Sequence, residues 1–449
     1  MKKIYLISTF IIATLVSCDV LDVDPQHSIP ADGAVNNRTD AIRALNGCYD
    51  SFQAAGYYGR NYNAAGDLSS DILSWSGTTA GYNQMDNNSI LPDNVIVEGI
   101  WSSIYRALNR INSLKERLPE VEGFEDNEKQ EIQGELHFLR ALAHYDLARM
   151  FGGVPVRTSS ATADEDDLNK PRNEVSEVFQ SVFDDLEVAR QNISSEIIRG
   201  RASLAAVLAL EARANLHYYS ITHEDKYLDA ALNAASSVID DFGLELEQDF
   251  AYLFSGNENR ESIFEIEYNE QDRNRLAEYF FPTDISGRYE FAPDSVLLAD
   301  FPEDDLRFSA SIGFLDDEPY VLKYNDIETG TDNVYVFRLA EMYLIYAEAS
   351  LLKGDDPVEI RQYLNPIVER AGLDEVTSDD YEELREEIAQ QRRLEFAFEG
   401  HRWFDLVRTG QALEVLEGVT DNYQTLFPIP LNEILANDAI NDEDQNPGY

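Results

Sequence analysis

The segment 203–241, SLAAVLALEARANLHYYSITHEDKYLDAALNAASSVIDD, decides the fold class of this chain. From Ser203 to Ser220 and again from Tyr227 to Asp241, apolar residues recur at the 3.6-residue spacing of a helix. A short polar turn joins the two runs. Small residues let two such helices approach closely while aromatic residues fill the groove between them. The segment therefore predicts a packed helical hairpin.

The same period recurs along most of the chain. Val336 to Leu352 and Pro357 to Arg370 form a second hairpin across the turn 353–356. Both hairpins resemble the tetratricopeptide helix-turn-helix in the placing of their small and aromatic residues, and stacked pairs of this kind bury a continuous core. We predict a mostly α fold with about four such pairs. The periodic segments are 98–118, 128–151, 174–192, 203–221, 226–241, 335–353, 357–370 and 380–417; the residues that carry the resemblance are Ala212, Tyr219, Tyr227, Ala230 and Ala231, and Tyr346, Ala347, Ala349 and Gly354.

Four stretches lack this period, namely 53–97, 152–173, 242–334 and 421–449. They predict irregular, loop-rich insertions with a few short strands, one of them at 262–268, where apolar and acidic residues alternate. A long polar segment such as 53–97 more often carries a binding loop than serves as an idle connector.

The charge of the chain excludes some classes of partner. Over 449 residues, 35 basic and 84 acidic side chains give 35 − 84 = −49. Such a surface repels the phosphates of nucleic acid and does not dock on anionic lipid through a basic face. Because 44% of the residues are hydrophobic, the chain can still bury a large core, and the acidity belongs to its surface.

The N-terminus predicts export. A basic start at Lys2 and Lys3 precedes thirteen mostly apolar residues at 4–16, too few to span a bilayer, so we interpret 1–17 as a signal peptide. The run Leu15-Val16-Ser17-Cys18 resembles a bacterial lipobox, which implies lipid on Cys18 and a tether over 18–35. The alternative is an ordinary secretory signal with an incidental cysteine. Cys48, the only other cysteine, is predicted to be a small buried helix residue.

Catalytic signatures are absent from the sequence. The common hydrolase, zinc-protease, nucleotide-binding and hydride-transfer motifs do not occur, and we predict no cofactor and no metal site. His137 and His144 are seven residues apart on one helix and are interpreted as packing or surface residues. The acidic runs 164–167 and 442–444 lack the spacing of a calcium loop. A glycosidase-like pair of carboxylates stays open, because its two acids need not be close in sequence.

Four segments resemble a known family. They are the helix and exit turn RALAHYDLARMFGGVP at 140–155, FRLAEMYLIYAEA at 337–349, RRLEFAFEGHRWFDLVR at 392–408, and the ending LFPIP at 426–430 with QNPGY at 445–449. Together with the lipobox, these segments are similar, in family order, to the SusD/RagB family of outer-membrane glycan-binding lipoproteins.

The resemblance implies a SusD-like fold and a binding role without enzyme activity. It implies a single domain over 36–449, with an N-terminal half at 36–241 and a C-terminal RagB/SusD half at 242–449. It also implies a cell-surface lipoprotein, anchored in the outer membrane through Cys18, that captures oligo- or polysaccharide and acts as the lid of a SusC-like TonB-dependent transporter. The alternatives are a binder of peptide or another nutrient within the same family and, in another class, a surface glycosidase.

Two sets of prominent residues have a structural interpretation. In 392–408, the charged side chains are expected to form ion pairs within the fold, with Leu394, Phe398 and Trp403 packed inward. Trp101 lies on an amphipathic helix and is expected in the core. The charged residues to which this interpretation applies are Arg392, Glu395, Glu399, Arg402, Asp405 and Arg408.

Trp75 is the one tryptophan outside the periodic helices, and around it we predict a glycan platform. Sugar recognition uses an aromatic face for the pyranose C–H groups and polar side chains for the hydroxyls. Trp75 with Tyr82, flanked by Asp71 and Asn83, offers both, although packing inside the loop is the alternative. Residues that could extend the platform are Tyr57 and Tyr58 and the later group Tyr279, Phe280, Arg288 and Tyr289.

The charge also constrains the cargo. Removing residues 1–17 takes away two lysines and no acid, which leaves 33 − 84 = −51 on the mature chain. We therefore expect a neutral glycan, unless an arginine such as Arg288 creates a local positive pocket.

Overall fold

The computed structural model describes residues 35–125, 127–161, 168–256 and 258–449. The predicted signal peptide, the lipidation residue Cys18 and nearly all of the predicted tether lie outside the described residues, and so does the acidic run 164–167.

Seventeen α-helices and six short strands are present in the described part of the chain. The helices are α1 (Arg38–Asp50), α2 (Asn61–Leu68), α3 (Ala80–Asp86), α4 (Val95–Arg117), α5 (Glu128–Phe151), α6 (Val175–Asn192), α7 (Leu204–Thr222), α8 (Asp225–Asp241), α9 (Leu276–Phe280), α10 (Ser295–Asp300), α11 (Leu306–Ser311), α12 (Leu339–Lys353), α13 (Pro357–Arg370), α14 (Tyr381–Glu395), α15 (Arg402–Arg408), α16 (Ala412–Val415) and α17 (Leu431–Ala436).

The strands form three separate two-stranded antiparallel sheets. The first pairs β1 (Leu73–Trp75) with β3 (Phe291–Pro293), the second β2 (Ser262–Ile266) with β6 (Val334–Arg338), and the third β4 (Ile312–Leu315) with β5 (Glu318–Val321). The strand predicted at 262–268 is confirmed.

The long helices pack as four pairs, as predicted: α1 with α4, α5 with α6, α7 with α8, and α12 with α13. The contact of α8 with α12 joins the last two pairs into one stack. In the hairpin that opens the sequence analysis, the Ser203 hydroxyl accepts the amide of Ala206 and caps α7. His223 ends that helix in the left-handed region, so the chain turns directly into α8.

Two predicted helices differ from the observed ones, one at its start and one by internal breaks. The segment 335–353 begins as strand, because Val334–Arg338 is buried along its whole length and pairs with β2 before α12 starts at Leu339. The segment 380–417 divides into α14, α15 and α16. The break after α14 contains Phe398 and Gly400, both with positive φ, which a continuous helix does not tolerate.

The stretch 53–97 is also more ordered than predicted, since it contains α2, β1 and α3. All eight residues of α2 are buried. A helix that is covered on every side shows no one-sided apolar period, so periodicity does not predict α2. Gly66 lies in α2 against the chain turn at Gly400, where a Cβ would stand 2.3 Å from the Gly400 carbonyl oxygen.

A buried network of charges holds the C-terminal half together, and it confirms the structural interpretation of Glu395 and Glu399. Arg338 donates to both carboxylates, and Lys323 donates to Glu399 at 2.7 Å. Burial alone raises the pKa of Glu399, but these two cations outweigh it and lower the pKa. The network contains four cations and four anions: Arg307, Lys323, Arg338 and Arg370 with Glu261, Asp305, Glu395 and Glu399.

Other core predictions are confirmed. Trp101 is buried, and its indole N–H donates to Glu433 at 3.1 Å. Cys48 is a buried free thiol in α1, and burial raises its pKa to about 12. No helix among the described residues is both long and apolar enough to cross a membrane.

Candidate functional site

The β1–β3 sheet brings together two groups of predicted site residues that are far apart in sequence. Trp75 pairs with Phe291 in the antiparallel register. Just beyond the sheet, the backbone N–H of Ser76 donates to the Glu290 carbonyl at 3.0 Å, and the Ser76 hydroxyl donates to the Tyr289 carbonyl at 2.7 Å. The backbones of Trp75 and Tyr289 therefore lie close together.

Trp75 is partly buried and packs against the main core. Its Nε1 atom is shielded from solvent and makes no hydrogen bond within the described residues. A sugar ring that touches this indole would therefore meet its carbon atoms, which is the contact that pyranose C–H groups prefer.

The loop after Trp75 is anchored by the buried carboxylate of Glu290. This carboxylate accepts the backbone N–H groups of Thr78 and Thr79 and the Thr78 hydroxyl, each at 3.1 Å. Burial by itself raises the pKa of Glu290, but these hydrogen bonds outweigh it and lower the pKa. Gly77 passes so close that a Cβ there would lie 2.3 Å from Oε2 of Glu290.

The later group surrounds the aromatic ring of Tyr279. Tyr279 is buried, and the guanidinium carbons of Arg60 and Arg288 lie 4.1 and 4.9 Å from its ring centroid. Arg288 is exposed, and its Nη1 atom lies 3.8 Å from Oε1 of Glu278. Tyr289 is half-buried and donates its hydroxyl to the Pro319 carbonyl at 2.8 Å. Arg288 and Tyr289 thus face solvent at least in part, whereas Tyr279 supports them.

Two residues predicted for the platform do not offer free groups. Tyr82 is 1% exposed, its ring packs against Tyr279 and Phe291, and its hydroxyl donates to Asn61. The carboxylate of Asp71 accepts two hydrogen bonds from Arg402, at 2.7 and 3.0 Å.

Burial raises the pKa of Asp71, but Arg402 and Arg393 lower it by more. The charge of Asp71 is therefore used in ion pairs within the fold. Asn83, on α3, is half-buried, and its backbone carbonyl and side-chain oxygens accept from Asn87.

The suggested extension by Tyr57, Tyr58 and Phe280 is wrong, because all three are in the core. The hydroxyls of Tyr57 and Tyr58 donate to the buried carboxylate of Asp146 at 2.6 and 2.8 Å. Because a buried carboxylate needs hydrogen-bond donors, these tyrosines form a structural cluster around Asp146.

The β4–β5 hairpin contributes aromatics that the sequence analysis missed. Its carbonyl at Pro319 holds Tyr289, and the ring of Tyr320 packs 4.9 Å from that of Phe281. Phe314, on β4, is 51% exposed. The acidic pair Asp316-Asp317 between two short apolar runs is a hairpin signal that could have located this element.

His137 and His144 both have partners within the fold. His137 Nδ1 lies 2.6 Å from Asp185, and His144 Nε2 accepts the backbone N–H of Arg157 at 3.2 Å. The described residues contain no cluster of three or more side chains suited to a metal ion.

Comparisons with known proteins agree with this architecture. Residues 19–216 match a family model described as starch-binding and associating with the outer membrane, and residues 314–449 match the SusD family model. A SusD-like protein, P38, of Formosa agariphila is 29% identical over the whole of both chains. A SusD-like protein of Bacteroides ovatus is 25% identical over 69% of this chain and 65% of that one.

Solved structures show the same fold. A laminarin-binding SusD-like protein is 26% identical with a TM-score of 0.80, covering 92% of this chain and all of that one. The surface glycan-binding protein A of Bacteroides fluxus is 25% identical with a TM-score of 0.78 over the same shares. The helix stack therefore defines a protein of the mostly α, tetratricopeptide-like class. The chain belongs to the SusD-like family, as its sequence motifs indicate.

Proposed function

We propose that this protein binds an oligo- or polysaccharide at the surface formed by Trp75, Asn83, Arg288 and Tyr289, with Tyr82, Tyr279 and Asp71 supporting it from beneath. The observation that supports the proposal is the β1–β3 pairing, which brings the chain at Trp75 and Ser76 next to the chain at Tyr289. The indole carbons would stack on a sugar ring, while the polar groups around them would bind its hydroxyls.

The proposed cargo is a neutral glycan. Arg288 is the exposed cation of this surface, and Glu278 lies close enough to offset part of its charge. The rest of the mature chain carries a large negative charge, which opposes sulfated or uronate-rich polymers. The laminarin-binding relative supports a glycan ligand of this general kind.

We propose further that the protein is a surface lipoprotein of the outer membrane and acts as the lid of a SusC-like TonB-dependent transporter. The lipobox at 15–18 supports the anchor, and the family model that associates with the outer membrane supports the location. A single domain over 36–449 would bind the glycan and deliver it without chemistry.

Affinity electrophoresis in gels that contain neutral or polyanionic polysaccharides tests the ligand class. We expect retardation by a neutral glycan such as laminarin and its loss in Trp75→Ala. The control is Tyr252→Ala, since Tyr252 is an exposed aromatic residue outside this surface. Retardation only by polyanions, or an unaffected Trp75→Ala variant, would contradict the proposal. A reducing-sugar assay on the same samples tests the glycosidase alternative.

The partner and the anchor need separate tests. Purification of the tagged protein from outer membranes is expected to bring a TonB-dependent transporter with it. Cys18→Ala is expected to release the protein from the membrane fraction, and the retention of this variant would exclude lipid on Cys18 as the anchor.

A further inference from the structure

Four large apolar side chains are exposed where two distant segments of the chain meet. Leu91 and Val95 lie just before α4 and at its first residue, and Leu431 and Leu435 lie on α17; each of the four is between 38% and 71% exposed. Leu431 and Leu435 are four residues apart and therefore share one face of their helix. The backbone N–H of Leu431 donates to the carbonyl of Pro92 at 2.8 Å, which joins the two segments. We call these four residues the apolar patch.

The other residues of α17 hold this helix against α4. The side chain of Asn432 donates to Glu98 at 2.7 Å, and Glu433 accepts the indole N–H of Trp101 at 3.1 Å. Ile434 packs against the main core. The inward residues of α17 thus fix its position, and its two leucines stay exposed. Single exposed leucines are ordinary on a protein surface, but a group of them on a fixed support is typical of a contact with another molecule.

The two segments that form the apolar patch carry no basic residue. Residues 61–105 and 409–449 together number 86 and contain neither lysine nor arginine, although the average of 35 in 449 would place about seven among them. Acidic residues are present in both segments, and one of them, Asp93, is exposed between Leu91 and Val95. The patch therefore lies in an acidic surrounding.

Basic residues come near the apolar patch at its margins. Arg106 is the first basic residue of α4 and lies about 16 Å from Val95 by helix rise. Lys170 lies past the C-terminal end of α17, where its backbone carbonyl accepts from the side chain of Asn437 at 3.0 Å. An apolar surface with acidic surroundings fits a partner surface that is apolar and basic. It opposes anionic lipid, and it opposes a second copy of this chain, which would bring the same acids.

The apolar patch adjoins the proposed glycan surface. Helix α3 carries Asn83 of that surface, and the side-chain oxygen of the next residue, Gln84, accepts the backbone N–H of Leu91 at 3.2 Å and the side chain of Asn94 at 2.8 Å. Asn94 also donates to the carbonyl of Gly81 at 3.0 Å. A partner seated on the patch would therefore lie next to a bound glycan, as the transfer of the glycan from one protein to the other requires.

We propose that the apolar patch is the docking surface for the TonB-dependent transporter, which meets it with apolar side chains surrounded by lysine and arginine. This inference rests on the proposed function and names the face of the chain that contacts the transporter. The apolar centre supplies most of the affinity, while the surrounding charges favour this partner over others.

The test uses the tagged full chain, purified in detergent from outer membranes, with the amount of transporter per tagged protein measured by quantitative mass spectrometry. Val95→Asp and Leu435→Asp are each expected to reduce this ratio at least about fivefold. The matched control is Val358→Asp, because Val358 is also an exposed valine in the first turn of a long helix, α13, and lies outside the patch. This control is expected to leave the ratio unchanged.

The sign of the charge is tested at one position. Leu435→Asp and Leu435→Lys both remove the apolar contact, but the lysine also brings a positive charge toward a basic partner. We expect Leu435→Lys to retain less transporter than Leu435→Asp, and we expect added salt to reduce this difference by screening. Equal retention by the two variants, or less by Leu435→Asp, would contradict a basic partner surface.

The outcomes separate this inference from the proposed function. If the unmodified chain brings no transporter, the proposed transporter partner is wrong and the docking surface falls with it. If it does, and Val95→Asp and Leu435→Asp, shown to be folded by circular dichroism, bring as much transporter as Val358→Asp, the docking surface alone is wrong. A dimer in native mass spectrometry that both variants abolish without loss of transporter would assign the patch to a second copy and overturn the proposal.

Discussion

Replacing Glu290 by alanine tests whether this carboxylate holds the loop that follows Trp75. The substitution removes three hydrogen bonds, two from the backbone N–H groups of Thr78 and Thr79 and one from the Thr78 hydroxyl. Each hydrogen bond contributes roughly 0.5 to 1.5 kcal/mol net, and water can replace some of them because Thr78 is exposed. The expected loss of stability is therefore about 2 kcal/mol. We expect weaker glycan binding as well, since the loop borders the indole.

Glu290→Gln is the matched control. A rotated amide keeps an oxygen for the two backbone N–H groups and turns its NH₂ toward the hydroxyl, so the expected cost is only about 1 kcal/mol, the loss of the charge. Urea unfolding at pH 7, followed by circular dichroism, measures both variants. If Glu290→Ala costs less than about 0.5 kcal/mol, or if both variants cost the same, the reasoning is wrong.

The pH dependence gives a second check on Glu290. Since the folded protein lowers its pKa, the ionised carboxylate stabilises the fold above the unfolded pKa of about 4.3. This stabilisation is lost as the pH falls through the lower pKa of the folded state. The advantage of the unmodified protein over Glu290→Gln is therefore expected to shrink in acid and not at pH 8.

Further predictions concern the buried charges. Burial raises the pKa of Asp67 to about 8, although the hydrogen bond from the backbone N–H of Gly400 acts to lower it. The protonated form of Asp67 therefore favours the fold, and this contribution to stability is lost as the pH rises toward 8. In urea unfolding, Asp67→Asn is expected to gain stability relative to the unmodified protein as the pH rises from 5 to 8, by up to about 4 kcal/mol. The control is Asp93→Asn, at an exposed position, which is expected to show no such gain. Glu395→Gln leaves one cation of the buried network unbalanced, so it is expected to lower the free energy of unfolding by about 3 to 5 kcal/mol in the same assay. The control Glu382→Gln, at an exposed ion pair, is expected to lower it by less than about 1 kcal/mol. A cost for Glu395→Gln no larger than that of its control would show that the network does not hold the fold.

The sequence predicts the elements of this fold that have one apolar face. Helices α8 and α13 begin and end within one residue of where the period indicates, because each buries one side and exposes the other. The period fails for α2, which is buried all round, and for β6, whose continuous apolar run leads directly into α12. In both cases the environment is set by distant parts of the chain.

The candidate site shows the same limit. The residue types around Trp75 and Tyr289 suggest sugar binding, yet which side chains are accessible depends on partners that local sequence does not reveal. Tyr82 is covered by residues from 279–291, and Asp71 is paired with Arg402. The antiparallel register of β1 and β3, which joins the two groups, involves residues more than 200 positions apart and carries no local signal.

Calorimetric titration of laminarin into the unmodified protein, Trp75→Phe and Trp75→Ala tests the central claim most directly. If the ring of Trp75 stacks on the sugar, Trp75→Phe keeps an aromatic face and most of the affinity, whereas Trp75→Ala loses at least about tenfold, or 1.4 kcal/mol. Trp101 and Trp403 are buried, so a change in tryptophan fluorescence during the titration would also come from Trp75. Equal affinity of all three proteins for the glycan would contradict the account.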